Sequence, residues 1–195
     1  MAIEILEHTT QSHLTRRTAS IEEFWALPES VLPTEYINGE IIMPPTPTTA
    51  HQRVSGEIVF ALKRFVQGRE LGEIFYSPLD VILPTGNVVQ PDIFFLTPKE
   101  TQRAIHDKRV YGVPSFVIEI LSPGSITHDT ITKRNLYEQS GVREYWIVDV
   151  EKKSIAQLVL RKKHYALAEL SESDTIRGAV LAGFEMNVAE LLGLR

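Results

Sequence analysis

Two carboxylates stand in runs that otherwise read as buried strands. Asp92 opens Asp92-Ile93-Phe94-Phe95-Leu96, and Glu119 interrupts Phe116-Val117-Ile118-Glu119-Ile120-Leu121. A carboxylate in such a strand is costly unless it is paired, protonated or bound to a metal. Strand alternation groups Asp92 with Phe94 and Leu96, and Glu119 with Val117 and Leu121. If the two strands are neighbours, both acids point into one pocket. Two oxygen-donor acids suit a magnesium or manganese ion, which keeps several of its waters. Such an ion polarises a phosphate and lowers the pKa of a bound water. Lys133 follows on the next helix, sharing a face with Asp129, Leu136, Tyr137 and Ser140. Its charge is placed to orient a water or to stabilise a pentavalent phosphorus. The competing reading makes Glu119 the partner of some buried cation in a purely structural role. It makes Asp129 and Lys133 an ordinary i,i+4 pair.

Around this centre stand three supporting candidates. Glu40 follows an Asn-Gly turn and is a candidate further acid or a solvent-facing hairpin residue. His51 lies on the inward stripe of a helix, where it serves as a proton donor, a ligand or a hydrogen-bonded core histidine. Gln90 shares the face of Asp92 if one strand runs through Pro91. Ser122 is a candidate donor beside Glu119, or a strand-ending turn. The basic run Arg161-Lys162-Lys163-His164 reads as a solvated hairpin turn or, less commonly for such a run, as a contact for a phosphate backbone. There is no Gly-rich phosphate loop, HExxH motif or nucleophile elbow.

The elements that must carry these residues are legible in outline. Residues 1–19 read as a flexible tail and 20–195 as a single domain. Ser20 to Glu23 fits a capping box opening a short helix. Tyr36 to Ile42 reads as a hairpin around Asn38-Gly39. A long helix over roughly 50–68 buries Val54, Ile58, Ala61, Leu62 and Phe65. Short strands follow at 73–77, 79–83, 88–89 and 92–96, then a polar segment over 97–112. A strand at 115–121 and a helix at 127–139 lead to strands at 144–150, 154–160 and 164–170. A last strand or helix covers 184–192. The order points to an α+β, mixed α/β architecture.

Composition narrows the classes. At 195 residues and 43% hydrophobic content the chain can bury one substantial core. No apolar run reaches the length of a membrane span, and no signal-peptide core is present. Cysteine is absent, which excludes thiolate metal sites and disulfides. These features lead to a cytoplasmic expectation. The net charge of −5 argues against a protein that coats DNA through a basic surface. Aromatic content of only 8% argues against a two-carboxylate glycosidase with an aromatic cleft.

Several motifs in one order carry a family resemblance over roughly residues 20–193. They are Tyr36-Ile37-Asn38-Gly39-Glu40, His51-Gln52-Arg53, Ser77-Pro78-Leu79-Asp80-Val81, Pro91-Asp92, Phe116 to Pro123, Asp129 with Lys133, and Gly141 to Asp149. Together they resemble the Uma-two family (domain of unknown function 820), which is similar to the PD-(D/E)xK nucleases. The resemblance implies a restriction-endonuclease-like mixed sheet flanked by helices. It also implies magnesium (or manganese) dependence and hydrolysis of DNA phosphodiesters. Asp92 and Glu119 would bind the metal and Lys133 would assist water. A homodimer is the form that this class implies. One departure stands out: the position two after Glu119 is Leu121 rather than lysine, so the following helix must supply the cation. The alternative is a non-catalytic binding or assembly protein on a nuclease-like fold.

Overall fold

The run of Val, Ile and Phe at 93–96 and 116–120 is apolar on both sides because the sheet it enters is covered on both faces. The computed structural model describes residues 14–28, 32–106, 108–171 and 175–192. Its central element is a six-stranded mixed sheet. The strands are β4 (Glu73–Tyr76), β7 (Ile93–Leu96), β10 (Phe116–Ile120), β11 (Glu144–Asp149), β12 (Ser154–Arg161) and β13 (His164–Ser171). They lie in the order β13-β12-β11-β10-β7-β4. Within this sheet the parallel pair is β10 and β11, joined by the helical segment that carries Lys133.

A second sheet has seven strands. It comprises β1 (Thr15–Thr18), β2 (Glu35–Ile37), β3 (Glu40–Met43), β5 (Val81–Ile82), β6 (Val88–Val89), β8 (Ile105–His106) and β9 (Arg109–Tyr111). Their order is β1-β3-β2-β6-β5-β9-β8. The hairpin between β2 and β3 turns on Asn38 and Gly39, with φ of 52° and 83°, the left-handed pair that Asn-Gly favours. The strand Thr15–Thr18 pairs with β3, so the end of the expected tail is sheet; residues 1–13 lie outside the described residues.

The helices follow their sequence signals. α1 (Ile21–Trp25) opens with the Ser20–Glu23 capping box. α2 (Thr49–Val66) buries His51, Val54, Ile58, Leu62 and Val66, while Ala61 and Phe65 are half-buried. The polar segment after β7 contains α3 (Pro98–Ala104), again capping-boxed, by Thr97 and Glu100. The helix expected over 127–139 is composite. A π-helical turn at His128–Lys133 precedes α4 (Arg134–Ser140), which Gly141 closes at φ 92°. The C-terminal segment is both strand and helix: β14 (Thr175–Arg177) pairs with β15 (Glu185–Asn187), and α5 (Val188–Leu191) follows.

Two cores result. On one face of the six-stranded sheet, Ile93, Phe95, Phe116, Ile118, Trp146 and Val148 pack with α2 and the C-terminal hairpin. On the other, Phe94, Leu96, Val117, Tyr145 and Ile147 pack with α4 and the second sheet. Among the described residues no helix is long and apolar enough to cross a membrane.

Candidate active site

The antiparallel register of β7 and β10 pairs Val117 with Phe94 and Ile118 with Ile93. Continued by one step it sets Asp92 opposite Glu119. Both acids lie at the ends of their strands, next to the first turn of α2, and both line a cleft of about 350 Å³. The Asp92 main-chain N–H donates to Glu119 Oε2 at 3.3 Å. Asp92 Oδ2 accepts from the Ile120 N–H at 2.8 Å and stands 3.0 Å from His51 Nε2. His51 is thus the inward-facing residue that its helical stripe predicts.

Behind Asp92 the charges become dense. Glu119 is 2% exposed, and its Oε1 accepts from Lys133 Nζ at 3.1 Å and from the Tyr137 hydroxyl at 2.7 Å. Lys133, also buried, reaches Glu35 Oε1 at 3.0 Å and Asp129 Oδ1 at 3.5 Å. Glu35 in turn lies 2.8 Å from His128 Nε2 and accepts from the Gln90 N–H. Asp129 and Lys133 are therefore a buried i,i+4 pair inside a network, not a solvated surface pair.

One ammonium cannot neutralise four neighbouring carboxylates. Burial pushes Glu119 well above the usual carboxylate range, and the charges of Asp92, Asp129 and Glu35 push it further, against the pull of Lys133. Asp129 is raised for the same first reason, burial, with Lys133 and His128 opposing. Glu35 goes the other way. Burial raises it, but the Lys133 charge, the His128 contact and the Gln90 N–H together bring it down to about 2. Burial lowers Lys133, yet Glu119, Glu35 and Asp129 hold it well above its ordinary value. Burial would also lower His51, but its contact with Asp92 and the Asp92 charge leave it raised. Tyr137, pushed up by burial and then by Glu119, stays a hydrogen-bond donor.

The sequence candidates thus divide. Asp92, Glu119, Lys133 and His51 meet in one place. Gln90 lines the same cleft but not through one continuous strand. Val88–Val89 belongs to the second sheet and Ile93–Leu96 to the first, and the Gln90 amide donates to Asp80 at 2.7 Å. Glu40 does not join them; it is half-buried and pairs with Arg16 at 3.5 Å. Ser122 lines the cleft and is tied to Ser125. The basic run forms the β12–β13 hairpin turn, with Lys162 and Lys163 at positive φ. Sequence reasoning misses Glu35 and His128. Glu35 shares the buried face of β2 with Ile37, a period-two signal lost when the strand is begun at Tyr36. His128 precedes Lys133 by five residues, which an α-helix turns to a different face; the π turn brings the two together.

Over residues 21–189 the sequence matches the Uma2 family, described as "Putative restriction endonuclease", and the chain belongs to that family. A crystal structure described as a "putative nuclease belonging to DUF820", from Anabaena variabilis, shares the fold at a TM-score of 0.75 and 19% identity. The similarity covers 89% of this chain and 97% of that one. No curated protein matches the chain.

Proposed function

From its place in the Uma2 family we propose that this protein is a divalent-metal-dependent endonuclease that hydrolyses DNA phosphodiester bonds in the Asp92–Glu119 cleft. The observation that carries the proposal is the shared position of Asp92, Glu119 and Lys133. Two carboxylates meet at adjacent strand ends, with a buried ammonium 3.1 Å from one of them.

The donor set fits magnesium or manganese. Three acids, Glu35, Glu119 and Asp129, contact one lysine and Asp92 stands beside Glu119, so carboxylates outnumber the lysine in the cluster. Among the described residues no group of three or more His, Cys, Asp or Glu side chains is placed to hold a metal by itself. Magnesium commonly takes one or two carboxylates and completes its shell with water. Asp92 and Glu119 would hold it, and when bound it would supply Lewis-acid polarisation and a more acidic water. Tyr137 and Lys133 fix Glu119 Oε1, leaving Oε2 on the Asp92 side. His51 holds Asp92 in place, and Lys133 provides fixed positive charge where a pentavalent phosphorus would gain negative charge.

The test is cleavage of plasmid and linear duplex DNA in magnesium, with EDTA as control. Wild-type protein should cut, Asp92→Asn should not, and Lys133→Ala should cut at least about 100-fold more slowly. Cutting at the wild-type rate in either variant sinks the assignment of these residues. A second reading, a non-catalytic binding protein on the same fold, draws support from the engagement of Lys133 with three carboxylates, as a structural ion network would have it. It expects no magnesium binding by calorimetry.

A further inference from the structure

We infer that Glu35 and His128 form a positioning pair for Lys133. The glutamate reaches from the second sheet and fixes the direction of the lysine ammonium, and the histidine fixes the glutamate. This rests on the nuclease reading of the cleft.

A lysine ammonium on a four-carbon stem is a mobile point charge with three donors. Here three oxygens surround it: Glu35 Oε1 at 3.0 Å, Glu119 Oε1 at 3.1 Å and Asp129 Oδ1 at 3.5 Å. Glu119 belongs to the proposed metal site and Asp129 to the lysine's own helical segment. Glu35 alone comes from the other sheet, so it opposes both and sets the angle of the Cε–Nζ bond.

Glu35 can do this because it is itself immobile. It is 1% exposed, and both of its oxygens are used. Oε1 accepts from Lys133 and from the Gln90 N–H at 2.9 Å, and Oε2 accepts from His128 Nε2 at 2.8 Å. On its other side, His128 Nδ1 lies 3.5 Å from Arg16 Nη2, so the ring is held from both nitrogens. The π turn is the local device that permits the arrangement. Its wider closure lets His128 and Lys133 approach the same carboxylate from one segment.

The experiment is steady-state cleavage kinetics with wild-type protein, Glu35→Gln, Lys133→Ala and the double variant, each first checked for a folded thermal transition. Glu35→Gln should lower kcat by about 10- to 100-fold, as loss of an orienting partner does, with KM for DNA within about twofold. On the Lys133→Ala background it should cause no further loss, because it acts through the lysine. His128→Ala should lower kcat in the same direction, and His128→Gln, whose amide can donate near the Nε2 position, should restore part of it. If Glu35→Gln does not fold, the two His128 variants decide the matter alone. Unchanged kcat, a change confined to KM, or an equal further loss without Lys133 would overturn the inference while leaving the nuclease reading intact. A wild-type protein that does not cut DNA sinks both.

Discussion

Glu119 and Glu144 stand on adjacent parallel strands, both almost wholly buried, yet they are opposite kinds of residue. Glu119 faces the second sheet and sits in a charged cluster beside a cleft. Glu144 faces α2 and the C-terminal hairpin, among neutral donors. Its oxygens accept from Trp146 Nε1 and Gln157 Nε2, both at 2.7 Å, and from the N–H groups of Ala179 and Val180. The pairing pins the segment after β14 to the sheet. Burial of an acid is therefore no sign of function by itself. What separates the two sites is whether the donors are neutral and saturating, or charged, short in number and next to open space.

The largest expected effect that sharpens this contrast is on catalysis. Lys133→Ala should reduce DNA cleavage by on the order of 10² to 10³-fold, the usual loss on removing a fixed charge at the reacting centre. Glu144→Gln should leave cleavage per folded molecule unchanged. If the two variants lose activity equally, the contrast collapses.

The second effect is on metal linkage. Magnesium at about a hundred times its Kd should stabilise wild-type protein by about 2.7 kcal/mol. The same addition should leave Glu119→Gln unmoved, as read by thermal melts with and without EDTA. The third reverses the roles. Glu144→Gln replaces a saturated acceptor with an amide whose NH2 confronts other donors, and should cost about 2 kcal/mol. Glu119→Gln should cost the metal-free protein less, because the amide also removes a charge that Asp92, Asp129 and Glu35 repel. Chemical denaturation of both variants in EDTA reads the difference in size.

The smallest effect is the pH drift of the metal-free protein. Glu119 and Asp129 have folded-state values above their ordinary ones, so the folded state binds more protons than the unfolded state as pH rises past about 4.5. Stability should fall through that window, and the raised His51 adds a further fall above its ordinary 6.5. Glu35 acts oppositely, contributing stability that is lost as pH falls toward about 2. The maximum without metal should therefore lie on the mildly acidic side, and melts across about pH 4 to 9 in EDTA check it. A maximum above neutrality would contradict the excess of negative charge.

The same contrast marks how far the order of residues can be read by itself. Asp92 and Glu119 are legible because strand alternation is local and their neighbours are uniformly apolar. Lys133 is legible because Asp129, Leu136 and Tyr137 mark its inward face. Glu144 begins its strand and looks like an ordinary edge residue; only the loop at 178–180, brought back from far along the chain, reveals its burial. Glu35 and His128 are hidden for a different reason. One needs a strand to begin a residue early, and the other needs a helix to change its closure. Gln90 and Glu40 are misplaced by local pattern because the seven-stranded sheet is assembled from distant pieces. It takes β6 away from β7 and draws Glu40 toward Arg16 on β1.

The seam between the two sheets bears on how the protein folds. Glu35 and Gln90 arrive from one sheet, Asp92 and Glu119 from the other, and Lys133 from the connection that follows, so the constellation spans almost a hundred positions of the chain. Contacts of such sequence separation form only after large loops have closed. No half-folded intermediate with a single sheet can hold the complete cluster. If the cleft cuts DNA, that capacity appears in one step with final docking, and a chain still folding carries no partial blade.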